Sequence, residues 1–209
     1  MTLRKRTLVI VGTTILGLNA VLYGISSALL LRSFERAEEQ DTRQVTKGVL
    51  NLFTQNLEQF NDNFTDWAIW DDAYKFVQDG NPAFIESNLI ASQLANLKIN
   101  LIIFVNSSGK VVFGVGYDDK LGKQTPIPTA LKAHLNQRDR LLNHPSPSSG
   151  LTGIISLPEG PMLLISRPIL NSEGQGPIRG TLIVGRYLNA QEEARFAKLN
   201  RVPVFFQAA

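Results

Sequence analysis

The chain has 209 residues, 44% of them hydrophobic, and no cysteine, which bounds it to one ordinary core plus an appendage and excludes disulfides, thiolate catalysis and thiolate zinc sites. Its net charge of +3 does not signal nucleic-acid binding: setting aside Arg4, Lys5 and Arg6 leaves 18 basic against 18 acidic residues, so no basic face for phosphates is indicated.

Thr7 to Leu31 runs 25 residues without a charge. At ~1.5 Å per residue that is roughly 37 Å of helix, enough to cross a hydrocarbon core of about 30 Å. Arg4, Lys5 and Arg6 at one end outweigh Arg32, Glu35 and Arg36 at the other. Residues 1–6 are therefore expected in the cytoplasm, with a single pass through the inner (plasma) membrane and the following domain in the periplasm or extracellular space. A cleaved signal peptide is the competing reading, but the apolar run exceeds an h-region of about 7–15 residues and no A-x-A site follows. Asn19 and Tyr23, one turn apart, are read as polar atoms the span tolerates.

From Ser33 to Gln78 there is no proline and one glycine, Gly48, so a single long helix is predicted over 33–78. Val45, Val49, Phe53, Leu57, Phe60, Phe64, Trp67 and Tyr74 fall within one arc of it, the stripe of a helix packed along one side. The charged stretch FERAEEQDTRQ reads as a solvated stalk, expected to pair with a second copy in a homodimer, and Asn61-Asp62-Asn63 as a kink or cap. The helix ends in DWAIWDDAYKF (Asp66–Phe76), which holds both tryptophans. On the wheel Asp71 lies inside the apolar arc, Asp72 opposite, and Trp70 at the edge. A carboxylate among rings must be paired or hydrogen-bonded. Two readings stand: Asp71 caps a loop or pairs with an arginine while the aromatics fill core, or Trp67, Trp70, Asp71 and Tyr74 form part of a cage for a cationic or hydrogen-bonding guest.

Asn81-Pro82 starts a second helix carrying Phe84, Ile85, Leu89 and Ile90. INLIIFV (99–105) is predicted as a strand covered on both faces, and the turn NSSG leads into a hairpin partner at Lys110–Val115. A short helix from Pro126 to about Gln137 and a loop at His144–Gly150 follow. Three strands (151–157, 162–170, 178–188) then complete an antiparallel sheet of five. A last helix, capped by Asn189 and running from about Ala190 to Leu199, is expected to lead away from the sheet, with 201–209 as a tail. Arg167 and Arg186 sit on strand faces, placed either to meet Asp71 or an anionic ligand group, or to stand at a rim facing solvent.

Catalytic constellations are missing. His134 and His144 lack metalloprotease spacing, Gly116 to Lys123 departs from a P-loop, and the aspartates of DWAIWDDAY lie on opposite helix faces. Neither an enzyme nor a metal or other cofactor is expected.

The order of anchor, long helix, D-W-A-x-W-D-D-x-Y, the INLIIFV hairpin and the closing SRPIL and GPIRGTLIVGRYL hairpin resembles the fourth type of CHASE domain, over residues 40 to 188. Asp66, Trp67, Trp70, Asp71, Asp72 and Tyr74 stand at the motif positions. The resemblance implies a Cache/PAS-like α+β fold with a five-stranded antiparallel sheet flanked by helices, a ligand pocket between them, and an extracytoplasmic sensory role at the front of bacterial histidine kinases or diguanylate cyclases. Such receptors carry a second membrane helix and an effector after this domain, so the chain is expected to be a receptor's front end, binding an unidentified small molecule. The alternative is a non-sensing envelope protein that binds a partner protein through its aromatic helix face.

Overall fold

The computed structural model describes residues 3–135, 139–200 and 203–206, in two compact units that divide after Asn51. The short helix expected to run to about Gln137 ends at Lys132, while Gln137 itself and most of the 201–209 tail lie outside the described residues. The first unit is helical: α1 (Leu3–Ala68) begins in it. Among the described residues α1 is the one helix long and apolar enough to cross a membrane, through Ile10–Ser27. Asn19 satisfies its amide within the helix, donating from Nδ2 to the Ile15 carbonyl at 2.9 Å.

The second unit holds the end of α1, then α2 (Asp71–Asp79), α3 (Pro82–Asn88), α4 (Ala91–Leu97), β1 (Leu101–Asn106), β2 (Val111–Asp118), β3 (Lys123–Thr125), α5 (Thr129–Lys132), β4 (Leu151–Leu157), β5 (Gly160–Ile169), β6 (Gly180–Tyr187) and α6 (Ala190–Asn200). The sheet is antiparallel throughout, in the order β3-β2-β1-β6-β5-β4. It has six strands where five were expected. The extra one, β3, is three polar residues with no alternation to read, made into a strand by the reversal at Gly122 (φ 63°) and pairing with β2.

Central β1 is buried on both faces, as its β-branched run predicts. Ile102 and Phe104 join the core under the helices with Phe64, Phe76, Phe84 and Leu94, whereas Leu101, Ile103 and Val105 face a second core closed by Leu131, Leu141 and Met162. The second helix of the sequence reading is two, α3 and α4, separated at Leu89–Ile90. Asn81 caps α3 by accepting the Ala83 N–H at 3.0 Å. Asn189 caps α6, accepting from Gln191 and Glu192 at 3.0 and 3.2 Å.

Helix α6 packs along α1. Its Phe196 is buried and meets Phe53 of α1 and Phe206, with ring centroids 5.7 and 5.6 Å apart. Arg195 Nη2 donates to Asn56 Oδ1 and Glu192 Oε2 at 2.6 and 2.7 Å. Burying an aromatic ring here outweighs the solvation of an otherwise charged helix.

On the second face, Ser166 Oγ donates its single hydrogen to the Leu141 carbonyl. His144 Nε2, 3.1 Å from Ser166 Oγ, must therefore be the donor in its own bond. Burial, with Arg167 adding to it, lowers the His144 pKa from 6.5 to about 4. The folded state then binds fewer protons than the unfolded one between these values. His144 is expected to cost stability progressively as pH falls from 6.5 to about 4, with no further loss from this group below that. Thermal unfolding against pH, compared with His144→Gln, checks it: the variant's midpoint should fall less across that window.

Candidate functional site

The DWAIWDDAYKF stretch is not one helix. α1 stops at Ala68 and α2 starts at Asp71, with Trp70 extended (φ −143°, ψ 128°) between them. The cause is tertiary: Ile69 forms a parallel bridge with Leu170 just after β5, and the Leu170 N–H donates to the Ala68 carbonyl at 2.9 Å. A strand end takes the carbonyl that the next helical turn would have used. Asn61-Asp62-Asn63, the expected kink, stays inside α1.

The break changes what each aspartate and aromatic does. Asp71 lies at the start of α2, exposed rather than within an apolar arc. Its Oδ1 accepts the Ser172 N–H at 3.0 Å while its own N–H donates to Ser172 Oγ at 3.0 Å. Tyr74 grips the same β5–β6 loop, donating from its hydroxyl to the Pro177 carbonyl at 3.4 Å and accepting from Arg179 Nε at 3.2 Å. Asp71→Ala should remove the carboxylate half of this reciprocal pair, the backbone N–H bond to Ser172 Oγ remaining, at a cost of about 0.5–1.5 kcal/mol. Hydrogen exchange would register it as faster amide exchange at Ser172, with the β1 amides unchanged.

The tryptophans enter a ladder of rings. Phe60, Phe64, Trp67, Trp70 and Phe84 follow one another at centroid separations of 5.0, 6.4, 6.0 and 5.5 Å. Phe84 then stacks on Phe76 at 4.4 Å, and Phe76 meets Phe104 edge-on at 5.1 Å. Phe60 and Phe64 are fully covered, while Trp67 and Trp70 are partly buried. Trp70 lines a cleft of about 400 Å³ between α2 and α3, with Asp72, Lys75, Phe76, Asp79 and Phe84.

The two arginines lie elsewhere. Arg167 donates from Nε (3.0 Å) and Nη2 to Asn61 Oδ1, tying β5 to α1. Arg186 donates from Nε to the Lys98 carbonyl at 2.6 Å and lies over the Phe60 ring, 4.4 Å from its centroid. It thus closes the end of α4, where Lys98 is held left-handed (φ 54°). Burial pushes the Arg186 guanidinium below its ordinary value, Arg195 adds to this, and Glu192 and Asp119 oppose it. Of the six sequence candidates, then, Asp71 and Tyr74 meet at the loop clasp, Trp67 and Trp70 in the ring ladder, and each arginine joins the sheet to a helix.

Sequence reasoning missed a second cleft, of about 420 Å³, where the ends of β2 and β6 meet the β4–β5 turn. Asn100 is its hub, donating to the Tyr117 carbonyl and Asp119 Oδ2 at 3.2 and 2.7 Å and accepting the Tyr187 N–H at 2.9 Å. Burial, with Glu159 nearby, pushes Tyr187 up to about 12. Its residues come from five separate segments, and none stands in a motif. Among the described residues no cluster of His, Asp and Glu could hold a metal ion.

Comparison with known proteins agrees with this architecture. The chain is 33% identical over 202 residues, 97% of its length, to the methanogenesis regulatory histidine kinase FilI of Methanothrix harundinacea (strain 6Ac), of which it spans 23%. Its fold is similar to the solved domain of a sensory box/GGDEF family protein from Vibrio parahaemolyticus (TM-score 0.55, 15% identity, 75% of this chain and 62% of that one). It is similar also to the solved extracellular domain of a histidine kinase (TM-score 0.51, 14% identity, 75% and 59% covered). The model of one family, the CHASE4 domain, matches residues 52–207, nearly all of the second compact unit, and the chain belongs to that family of sensory domains.

Proposed function

We propose that this chain is the ligand-sensing front end of a membrane-anchored receptor of the histidine kinase or diguanylate cyclase type. Its apolar N-terminal run crosses the membrane once, and its CHASE4 domain lies outside the cytoplasm. The observation that carries this reading is one element: α1 holds both the uncharged, exposed Ile10–Ser27 stretch and, at its other end, the buried Phe60 and Phe64. A small molecule that binds beside α1 would shift it against the sheet by an ångström or two, the scale of helix shifts at known switching interfaces. Catalysis belongs to the effector, not to this chain. The alternative of a partner protein docking on the aromatic stripe is less well supported, because Phe60 and Phe64 are covered by the chain's own fold.

The test is a metabolite screen on the full chain in lipid nanodiscs, read by thermal unfolding. At least one compound should raise the midpoint saturably, as a ligand selective for the folded state must. If no compound does, and the domain instead recovers an envelope protein from membranes, the sensing role is wrong. An alkaline phosphatase fused after Phe206 should be active, which cytoplasmic placement of the domain would prevent.

A further inference from the structure

Asp72, Lys75, Phe76 and Asp79 stand at i, i+3, i+4 and i+7 of α2 and share the face that lines the α2–α3 cleft. Behind them the Trp70 and Phe84 rings, 5.5 Å apart and inclined at 48°, form an angled wall. Trp70 is only partly buried because α1 ends before it and its backbone is extended. The cleft's volume of about 400 Å³ falls in the ordinary range for a small-molecule site. Among the described residues no hydrogen bond or ion pair engages the Asp72 carboxylate or the Trp70 indole N–H, whereas Asp79 Oδ1 already accepts the Asn81 N–H at 3.0 Å.

The charges decide the guest. Two carboxylates face one ammonium group, and the positive end of α2 is already met by Asp71 and Asp72 in its first turn. An anion would find two like charges and no arginine among the lining residues. A cation would find the partly exposed Trp70 ring, whose quadrupole attracts it, backed by the buried Phe84, and a carboxylate without another partner. We propose that the α2–α3 cleft is a site for a small organic cation, an ammonium group on a compact apolar body, seated against Trp70 and Phe84 and paired with Asp72. This inference rests on the sensing role. It moves the aromatic cage across the helix break, with Asp72 in place of Asp71, which holds the loop instead.

Isothermal titration calorimetry on the full chain in nanodiscs, with choline, tetraethylammonium and putrescine as probes, tests it. At least one should bind saturably, and 3,3-dimethylbutanol, the uncharged counterpart of choline, should not. Asp72→Asn should weaken that probe about ten-fold, or 1.4 kcal/mol. Lys75→Gln, which removes the competing ammonium, should tighten it several-fold, a gain that no general loosening of the fold would give. Trp70→Phe, keeping a ring, should lose less than Trp70→Leu. The proposal fails if none of the three cations binds, if the uncharged counterpart binds equally well, or if affinity is lost through Glu159→Gln at the second cleft rather than through Asp72→Asn. A neutral or anionic metabolite that stabilises the domain while these cations do not would leave sensing intact and remove this site.

Discussion

Phe76→Ala is expected to lower the stability of the domain by about 3–5 kcal/mol, the range for deleting a buried phenylalanine. Phe76 is 1% exposed and touches two other rings at once, stacked on Phe84 at 4.4 Å and edge-on to Phe104 at 5.1 Å. Phe104 belongs to central β1 and Phe84 to α3, so these three rings are where helices α2 and α3 meet the sheet. The void cannot close easily, because β1 is pinned by β2 and β6 on either side. At roughly 2–4 °C per kcal/mol for a domain of this size, thermal unfolding should shift down by about 6–20 °C. A shift below about 3 °C would mean that this ring cluster is not the keystone of the core.

Gly180→Ala should be worse, with no folded protein accumulating. Gly180 opens β6 between β1 and β5, opposite Asn106 and Ile169. A Cβ there would be driven into the Val105 carbonyl oxygen, with Val77 Cγ2 and the Asn106 Cα also inside contact distance. Two of these are backbone atoms of a central strand, which cannot yield as a side chain can, so the cost exceeds the usual 1–3 kcal/mol of overpacking. Gly153→Ala is the matched control. A Cβ at Gly153 in edge strand β4 meets nothing within 4 Å, and reducing the freedom of the unfolded chain should leave stability within about 0.5–1 kcal/mol of wild type, on the favourable side. Expression level and circular dichroism of the two variants separate steric blockage from a general intolerance of sheet glycines.

Most of the architecture was legible because apolar runs carry their period with them. INLIIFV predicted a strand buried on both faces, and β1 is one. What escaped depended on partners far away in sequence. The wheel placed Asp71 inside an apolar arc because it assumed an unbroken helix, and the assumption failed where Leu170 met Ala68. No local feature of DWAIWDDAYKF announces that contact. Arg167 and Arg186 were recognisable as arginines on strand faces, but their partners Asn61 and Lys98 lie 106 and 88 positions away. The α2–α3 cleft was half visible: Trp70 was picked out, while Phe84 read simply as the apolar side of a helix. The turn of α6 back to Phe53 was hidden by its charge.

The helix break has an optical consequence. Of the chain's two tryptophans, Trp67 stands in the last turn of α1 and Trp70 in the break itself, ring centroids 6.0 Å apart and planes inclined at 69°. Two identical chromophores so close and so crossed share their excitation, and the circular dichroism of the pair, in the strong far-ultraviolet band of indole, should take the form of a split couplet. With no third tryptophan to dilute it, that couplet gauges the angle between the end of α1 and the start of α2. Movement of α1 against the rest of the domain would be written in its amplitude, without any label attached.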